Sequence, residues 1–309
     1  MDCISVSLYL APRRDSDNRD FVNYRSQGNC AIGVPFPALA VAGDTIHECD
    51  TPRHDDLDLL LRALILAGGY GTRLGVLGKN RAKVLLPVAG RPVLDYVLDR
   101  VREIDEIDNA LVVTNDRFYG QFVEWSERAG RSSLAVSILD DGTTGPENRL
   151  GAVGDVLFGI EHEGIDDDLL VMAGDNLCDF SLPSMVKVLR QKGTCLAAYD
   201  IGRVEEASKY GNPEISADGR VVGFEEKPAF PKNSLIAVAI YMFRRADLGL
   251  FGEFKRQGHD LDLIGGFVQW AREQTPIYAC IYGSRYRWWD IGDPQIYRDA
   301  DVYYGGSGV

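Results

Sequence analysis

The chain has little histidine, few cysteines, no long hydrophobic run and no surplus of positive charge. Its four histidines among 309 residues fall in no motif, so none of them points to metal or general-base chemistry. The six cysteines, at 3, 30, 49, 178, 195 and 280, form no C-x-x-C pair and no disulfide-like spacing. Reduced thiols in a cytoplasmic protein are the simplest reading of that pattern. No apolar stretch approaches the roughly 20 residues that a membrane-spanning helix needs. The opening MDCISVSLYLAPRRDSDNRD has only a short apolar run, preceded by Asp2 rather than a basic segment, and is not expected to act as a signal peptide. Lys and Arg number 33 against 46 Asp and Glu, a formal net charge of -13. That balance argues against a nucleic-acid or membrane-surface binder, and any anionic ligand must be met by locally concentrated cations. The remaining composition is that of a globular chain able to bury one large core or two modest ones.

What the chain does have is the run from Arg62 to Pro92, RALILAGGYGTRLGVLGKNRAKVLLPVAGRP. A buried strand expected at 63–67 empties into a loop with glycines at 68, 69, 71, 75 and 78, carrying Arg73 and then Lys83. Without side chains at Gly68, Gly69 and Gly71, backbone N–H groups can approach an anion closely. The loop is suited to a polyphosphate. Neither of two common phosphate loops fits it. The dinucleotide fingerprint requires glycine where Leu74 stands, and the triphosphatase loop requires Ser or Thr where Asn80 follows Gly78-Lys79.

From Arg62 onward strands and helices alternate. Strands are expected at 63–67, 110–114, 134–139 and 169–172, and helices at 92–104, 118–129 and 150–161. This alternation implies an α/β fold, a Rossmann-like, mostly parallel sheet with helices on both faces. After about residue 194, strands at 195–199, 221–225 and 236–243 have shorter connections and suggest a mixed extension of the sheet in the C-terminal half. Helices at 247–255, 263–272 and 295–304 and a strand at 277–281 complete the reading. Residues 1–58 lack sustained periodicity and read as a poorly ordered extension, 59–304 as one folded domain, and 305–309 as a flexible tail.

The two-part pattern GGYGTRL and KVLLPV resembles the signature of the sugar-phosphate nucleotidyltransferases, of the glucose-1-phosphate thymidylyltransferase-like group. The resemblance runs over residues 61 to 303 and implies a GT-A-like nucleotidyltransferase fold. No run of hexapeptide repeats is present, so the β-helical tail of some relatives is not expected. The implied reaction is attack by a sugar-1-phosphate oxygen on the α-phosphorus of a nucleoside triphosphate, assisted by Mg²⁺. A phosphate nucleophile is already largely ionised near neutral pH, since its second pKa is about 6. Cations and metal carboxylates are therefore needed more than a general base.

The resemblance places nucleotide contacts at Ala67, Gly68, Gly69, Gly71, Thr72, Arg73, Lys83 and Gly151. Arg73 would hold the α-phosphate and the departing pyrophosphate, its planar fork matching phosphate oxygens. Lys83 would act as a point charge on the triphosphate. Asp175, in LLVMAGDN, and Asp290, in WWDIG, are the implied metal ligands, a sufficient pair because Mg²⁺ takes few carboxylates beside substrate oxygens and water. Tyr210, Gly211, Glu226 and Lys227, in YG and EEKP, are implied at the sugar phosphate. The catalytic set is then Arg73, Lys83, Asp175 and Lys227. The base would be read by the loop at 140–151, DDGTTGPENRLG, which lacks the glutamine of thymidylyltransferases and leaves the base open. Val76 and Ala82 depart from the prolines common in the signature. Two other readings stay open: an acceptor that is a non-sugar phosphate such as phosphocholine, and a non-catalytic regulatory relative. Expected partners are the two substrates, with no nucleic acid and no membrane; the sequence is silent on oligomeric state.

Overall fold

A computed structural model describes residues 13–14, 20–21, 60–71, 78, 80–129 and 134–306. The chain divides into two units, Met1–Arg53 and His54–Val309. In the first, strands β1 (Arg13–Arg14) and β2 (Asp20–Phe21) pair antiparallel; the rest of the expected extension lies outside the described residues.

The second unit begins with β3 (Leu61–Leu66), followed by the short pair β4 (Pro87–Val88) and β5 (Arg91–Pro92). Next come α1 (Val93–Val101), β6 (Asn109–Thr114), α2 (Asp116–Ala129), β7 (Ala135–Asp140), α3 (Ala152–Glu163), β8 (Asp168–Ala173) and β9 (Asn176–Cys178). The chain continues through α4 (Pro183–Gln191), β10 (Cys195–Asp200), β11 (Gly211–Ile215), β12 (Val221–Glu226) and β13 (Leu235–Phe243). It ends with α5 (Gly249–Arg256), α6 (Ile264–Ala271), β14 (Tyr278–Tyr282), β15 (Trp288–Asp290) and α7 (Pro294–Gly306).

Nine strands form the main sheet in the order β12-β11-β13-β8-β3-β6-β7, with β10 pairing β13 and β14. The β8-β3-β6-β7 part is parallel. Antiparallel β13 then joins β8, and β11 and β12 extend the sheet antiparallel. The expected mostly parallel sheet with a mixed C-terminal extension is what is observed.

Both faces are covered, which explains why the central strands read as unbroken apolar runs. Side chains alternate between faces. Ala63, Ile65, Leu170 and Met172 enter one core with Leu94 and Leu98 of α1, Phe118 and Phe122 of α2, and Met185 of α4. Leu64, Leu169 and Val171 enter the other with Val153 and Val156 of α3, Phe251 of α5, and Phe267 of α6. In that second core Phe251 and Phe267 stack with ring centroids 4.0 Å apart.

The periodic elements lie within a few residues of their expected positions. In this unit six short ones were not anticipated: β4, β5, β9, β11, β15 and α4. The strands β4, β5, β9 and β15 are two or three residues long, too short for periodicity to register, and β9 and β15 exist because of partners distant in sequence. One of them, β15, pairs antiparallel with β9 in a two-stranded ribbon of its own. Among the described residues, no helix is long and apolar enough to cross a membrane.

Candidate active site

A cleft of about 520 Å³ crosses the carboxyl ends of the parallel strands, where ligands of open α/β sheets bind. Following the sheet from β7 to β12, it is lined by Asp141 just after β7, Gly68–Gly71 after β3, Asp175 after β8, and Gly211 and Glu226 on β11 and β12. A second cavity, about 560 Å³, lies elsewhere, between α1 and α2. There Trp125 Nε1 donates to Asp95 at 2.8 Å and Arg128 to Glu124 at 2.8 Å, pairing four of its lining side chains with one another. The cleft is the better candidate because it gathers cations, carboxylates and bare backbone from segments far apart in sequence.

At mid-cleft Lys83 and Asp175, 92 residues apart, form an ion pair. Lys83 opens a short 3-10 turn whose next two residues, Val84 and Leu85, are buried and anchor it. The turn is steadied from α2, where Gln121 accepts from Ala82 N at 3.1 Å and donates to Asn80 O at 3.0 Å. Asp175 ends the β8 run, and its second oxygen accepts from Asn176 Nδ2 at 2.9 Å. Burial disfavours the charged form of Asp175. The Lys83 ammonium and the hydrogen bonds from Lys83 and Asn176 outweigh that cost and hold the carboxyl below its ordinary range.

The β9–β15 pairing brings the second carboxylate in. Asp290 is the register partner of Asn176, Ile291 N donates to Asp175 O at 2.9 Å, and Trp288 Nε1 donates to Asn176 Oδ1 at 2.8 Å. Two segments separated by more than a hundred residues thus present Asp175 and Asp290 to one cleft. Among the described residues no cluster of three or more His, Cys, Asp or Glu is present. A bound cation would therefore rest on these two carboxylates completed by ligand oxygens and water, an all-oxygen set that suits Mg²⁺.

Toward β12 lie Tyr210, Gly211, Glu226 and Lys227, all lining the cleft. A Cβ added to Gly211 would stand 2.4 Å from Phe224 Cζ and 3.0 Å from Glu226 Oε2, so only glycine fits. Burial raises the Glu226 carboxyl above its ordinary range, opposed by the Lys227 charge. Lys227 has φ 49, and Ala239, where β13 bulges opposite β10, has φ 51. Left-handed backbone at non-glycine residues costs on the order of 1–3 kcal/mol and tends to collect at ligand sites. Both of these line the cleft. Neither was foreseeable, because nothing in local sequence marks an alanine or lysine as left-handed.

Toward β7 the cleft is formed by Gly68, Gly69, Tyr70, Gly71, Asp141, Gly151 and Asp155. Gly151 has φ 80, and a Cβ there would lie 2.5 Å from Leu261 O, so its glycine is required by the close pass of the 261–262 backbone as well. Of the residues expected at the nucleotide, Ala67 is buried and committed to β6, its N–H donating to Val113 O at 2.8 Å, and is not at the cleft surface. Thr72, Arg73 and Val76 lie outside the described residues. Sequence reasoning missed Asp155. Its signal was available: it stands four residues after Gly151, one helical turn on the same face.

Comparison with known proteins gives the following. Residues 62–305 match the sequence model of a family described as Nucleotidyl transferase. The chain is 28% identical over 246 residues to a putative mannose-1-phosphate guanyltransferase of Sulfolobus acidocaldarius, covering 79% of this chain and 63% of the relative. It is 36% identical over 189 residues to a glucose-1-phosphate thymidylyltransferase of Streptomyces griseus, covering 60% of this chain and 50% of the relative. The chain therefore spans about half to two thirds of the length of these curated relatives. A crystal structure of a putative glucose-1-phosphate thymidylyltransferase from Bacillus anthracis, in complex with a sucrose, shares the fold. Its TM-score is 0.67 at 20% identity, covering 81% of this chain and 97% of that one.

Proposed function

The chain belongs to the Nucleotidyl transferase family, and from that premise we propose that it joins a nucleoside triphosphate to a sugar-1-phosphate. A phosphate oxygen of the sugar-1-phosphate attacks the α-phosphorus, the bond to the β-phosphate breaks, and pyrophosphate leaves with the displaced electron pair. The products are a nucleoside diphosphate sugar and pyrophosphate. The observation that carries this reading is the meeting of Lys83, Asp175 and Asp290 in one cleft. Bare glycine backbone lies on one side of them, and Lys227 with Glu226 on the other.

Two anions must be brought together, so the chain's task is to offset charge and align phosphates. Lys83 serves the triphosphate and Lys227 the sugar phosphate. Arg73, by its place in the signature, serves the α-phosphate and leaving pyrophosphate. Asp175 and Asp290 would hold Mg²⁺, which supplies charge neutralisation at the phosphate oxygens when bound. A sugar acceptor is favoured over phosphocholine because Glu226, which lines the cleft beside Lys227, offers a carboxyl to sugar hydroxyls.

The test is pyrophosphate release with Mg²⁺, crossing the common nucleoside triphosphates with several sugar-1-phosphates and phosphocholine. At least one sugar pair is expected to turn over, and Asp175→Ala and Asp290→Ala are each expected to abolish nearly all turnover while folding normally. Turnover with phosphocholine alone would move the acceptor assignment; wild-type rates in either aspartate variant would refute the two-carboxylate site.

A further inference from the structure

If the nucleotide lies over Gly68–Gly71, as the proposed function requires, its base faces the β7 end of the cleft, away from Lys227. We infer that the carboxyl pair of half-buried Asp141 and buried Asp155 reads this base and selects one that presents adjacent hydrogen-bond donors, guanine before the others.

The geometry is specific. Asp155, on the first turn of α3, is only 7% exposed and yet lines the cleft. A Cβ placed on Gly68 would lie 2.7 Å from Asp155 Oδ2 and 3.4 Å from Asp141 Oδ2, so both carboxyls fill the space beside the bare Gly68 backbone and border the cleft there. Asp141 Oδ1 accepts from Thr143 N at 2.7 Å, and the Thr143 hydroxyl is bonded to the Tyr70 hydroxyl at 3.0 Å. Asp155 is hydrogen-bonded to Asp141, and its Oδ1 is buried without a partner among the described residues.

A buried carboxyl in contact with a second one does not ionise beside it; one proton is held between Asp155 and Asp141. That proton is used inside the pair. What the pair offers outward is one negative charge and acceptor lone pairs, with no donor. Asp140 and Glu147 add to the negative potential on this loop, and Arg117 of α2 acts on Tyr70 beside it. The guanidinium on the same loop, Arg149, is held by both oxygens of Asp262 at 2.8 and 2.9 Å.

Buried acceptors are costly until a donor reaches them. Guanine brings N1–H and N2–H side by side, matching a pair of acceptor oxygens. Adenine and cytosine bring one amino group beside a ring acceptor. Thymine and uracil bring a single N–H flanked by two carbonyl oxygens, both of which the pair repels.

The test is equilibrium binding to the full chain with Mg²⁺, using GTP, ATP, CTP, UTP and dTTP, with inorganic tripolyphosphate as a ligand that has no base. GTP is expected to bind at least about tenfold more tightly than UTP or dTTP, the low end of one good bidentate contact. Asp155→Asn, which places an N–H among the acceptors, is expected to weaken GTP by about tenfold or more. It should also narrow or invert the preference for GTP over UTP and dTTP, with tripolyphosphate bound as before. Asp141→Asn serves the same comparison if the first variant does not fold. Preference for UTP or dTTP by the unsubstituted protein would overturn the inference, as would equal weakening of every nucleotide in a folded variant. Absence of binding by all five nucleotides to the folded protein would instead sink the proposed function, and this inference with it.

Discussion

Asp155→Asn also makes a prediction about stability that needs no ligand. Burial first, then the negative charge of Asp141 and the hydrogen bond to it, push the Asp155 carboxyl up to about 8 from an ordinary value of 3.8. In the unfolded chain the group ionises near its ordinary value. Between about pH 4 and pH 8 the native state therefore binds more protons than the unfolded state, and stability is lost as the pH rises through that window. Asparagine is nearly the same size, can still donate to Asp141, and does not titrate. A shift of about four units at about 1.4 kcal/mol each caps the effect near 6 kcal/mol, of which about 4 kcal/mol falls between pH 5 and pH 8. Relaxation and water entry around buried charge reduce such figures, so a change of about 2–4 kcal/mol is expected. The measurement is urea denaturation of both proteins at pH 5, 6, 7 and 8. The stability of the asparagine variant relative to the aspartate protein should climb steadily with pH. Parallel pH profiles would show that Asp155 ionises normally in the folded protein and would refute the reasoning.

Three further outcomes follow from particular contacts. Lys83→Met strands the Asp175 carboxylate, whose side chain is 19% exposed; a loss of about 2–4 kcal/mol is expected, largely recovered in Lys83→Met/Asp175→Asn. Denaturation curves that leave the single variant as stable as the wild type would deny the ion pair any weight. Lys227→Ala should raise the KM for the sugar phosphate and lower kcat, and a defect seen only in nucleotide binding would assign that lysine to the other substrate. Phe267→Ala empties a site stacked on Phe251 and should cost about 3–5 kcal/mol. A loss under about 1 kcal/mol in chemical denaturation would contradict the tight packing of that core.

The periodic elements and the mostly parallel sheet were legible because burial leaves a local trace. Strands such as β3 and β8 are covered on both sides and read as continuous apolar runs, while α1 and α2 show the spacing of one buried face. The family signature around Gly68, Gly71 and Lys83 was legible for a related reason: glycines and a cation at short range carry it. Less was visible where partners are distant. Nothing local to WWDIG says that it pairs with the segment after Asp175, and that pairing alone sets Asp290 beside Asn176. The left-handed turns at Lys227 and Ala239 were equally hidden, since their strain is supported by surrounding contacts and not by their own residue types.

What the amino-acid order determined by itself is thus the layered α/β architecture and the chemical character of its loop, both of which rest on interactions spanning a few residues. Tertiary structure decided which carboxylates share the cleft with Lys83 and which acid pair closes its β7 end. Asp141 and Asp155 lie 14 positions apart on a loop and a helix, and it is the packing of α3 against the sheet that turns two ordinary acids into a pair sharing one proton.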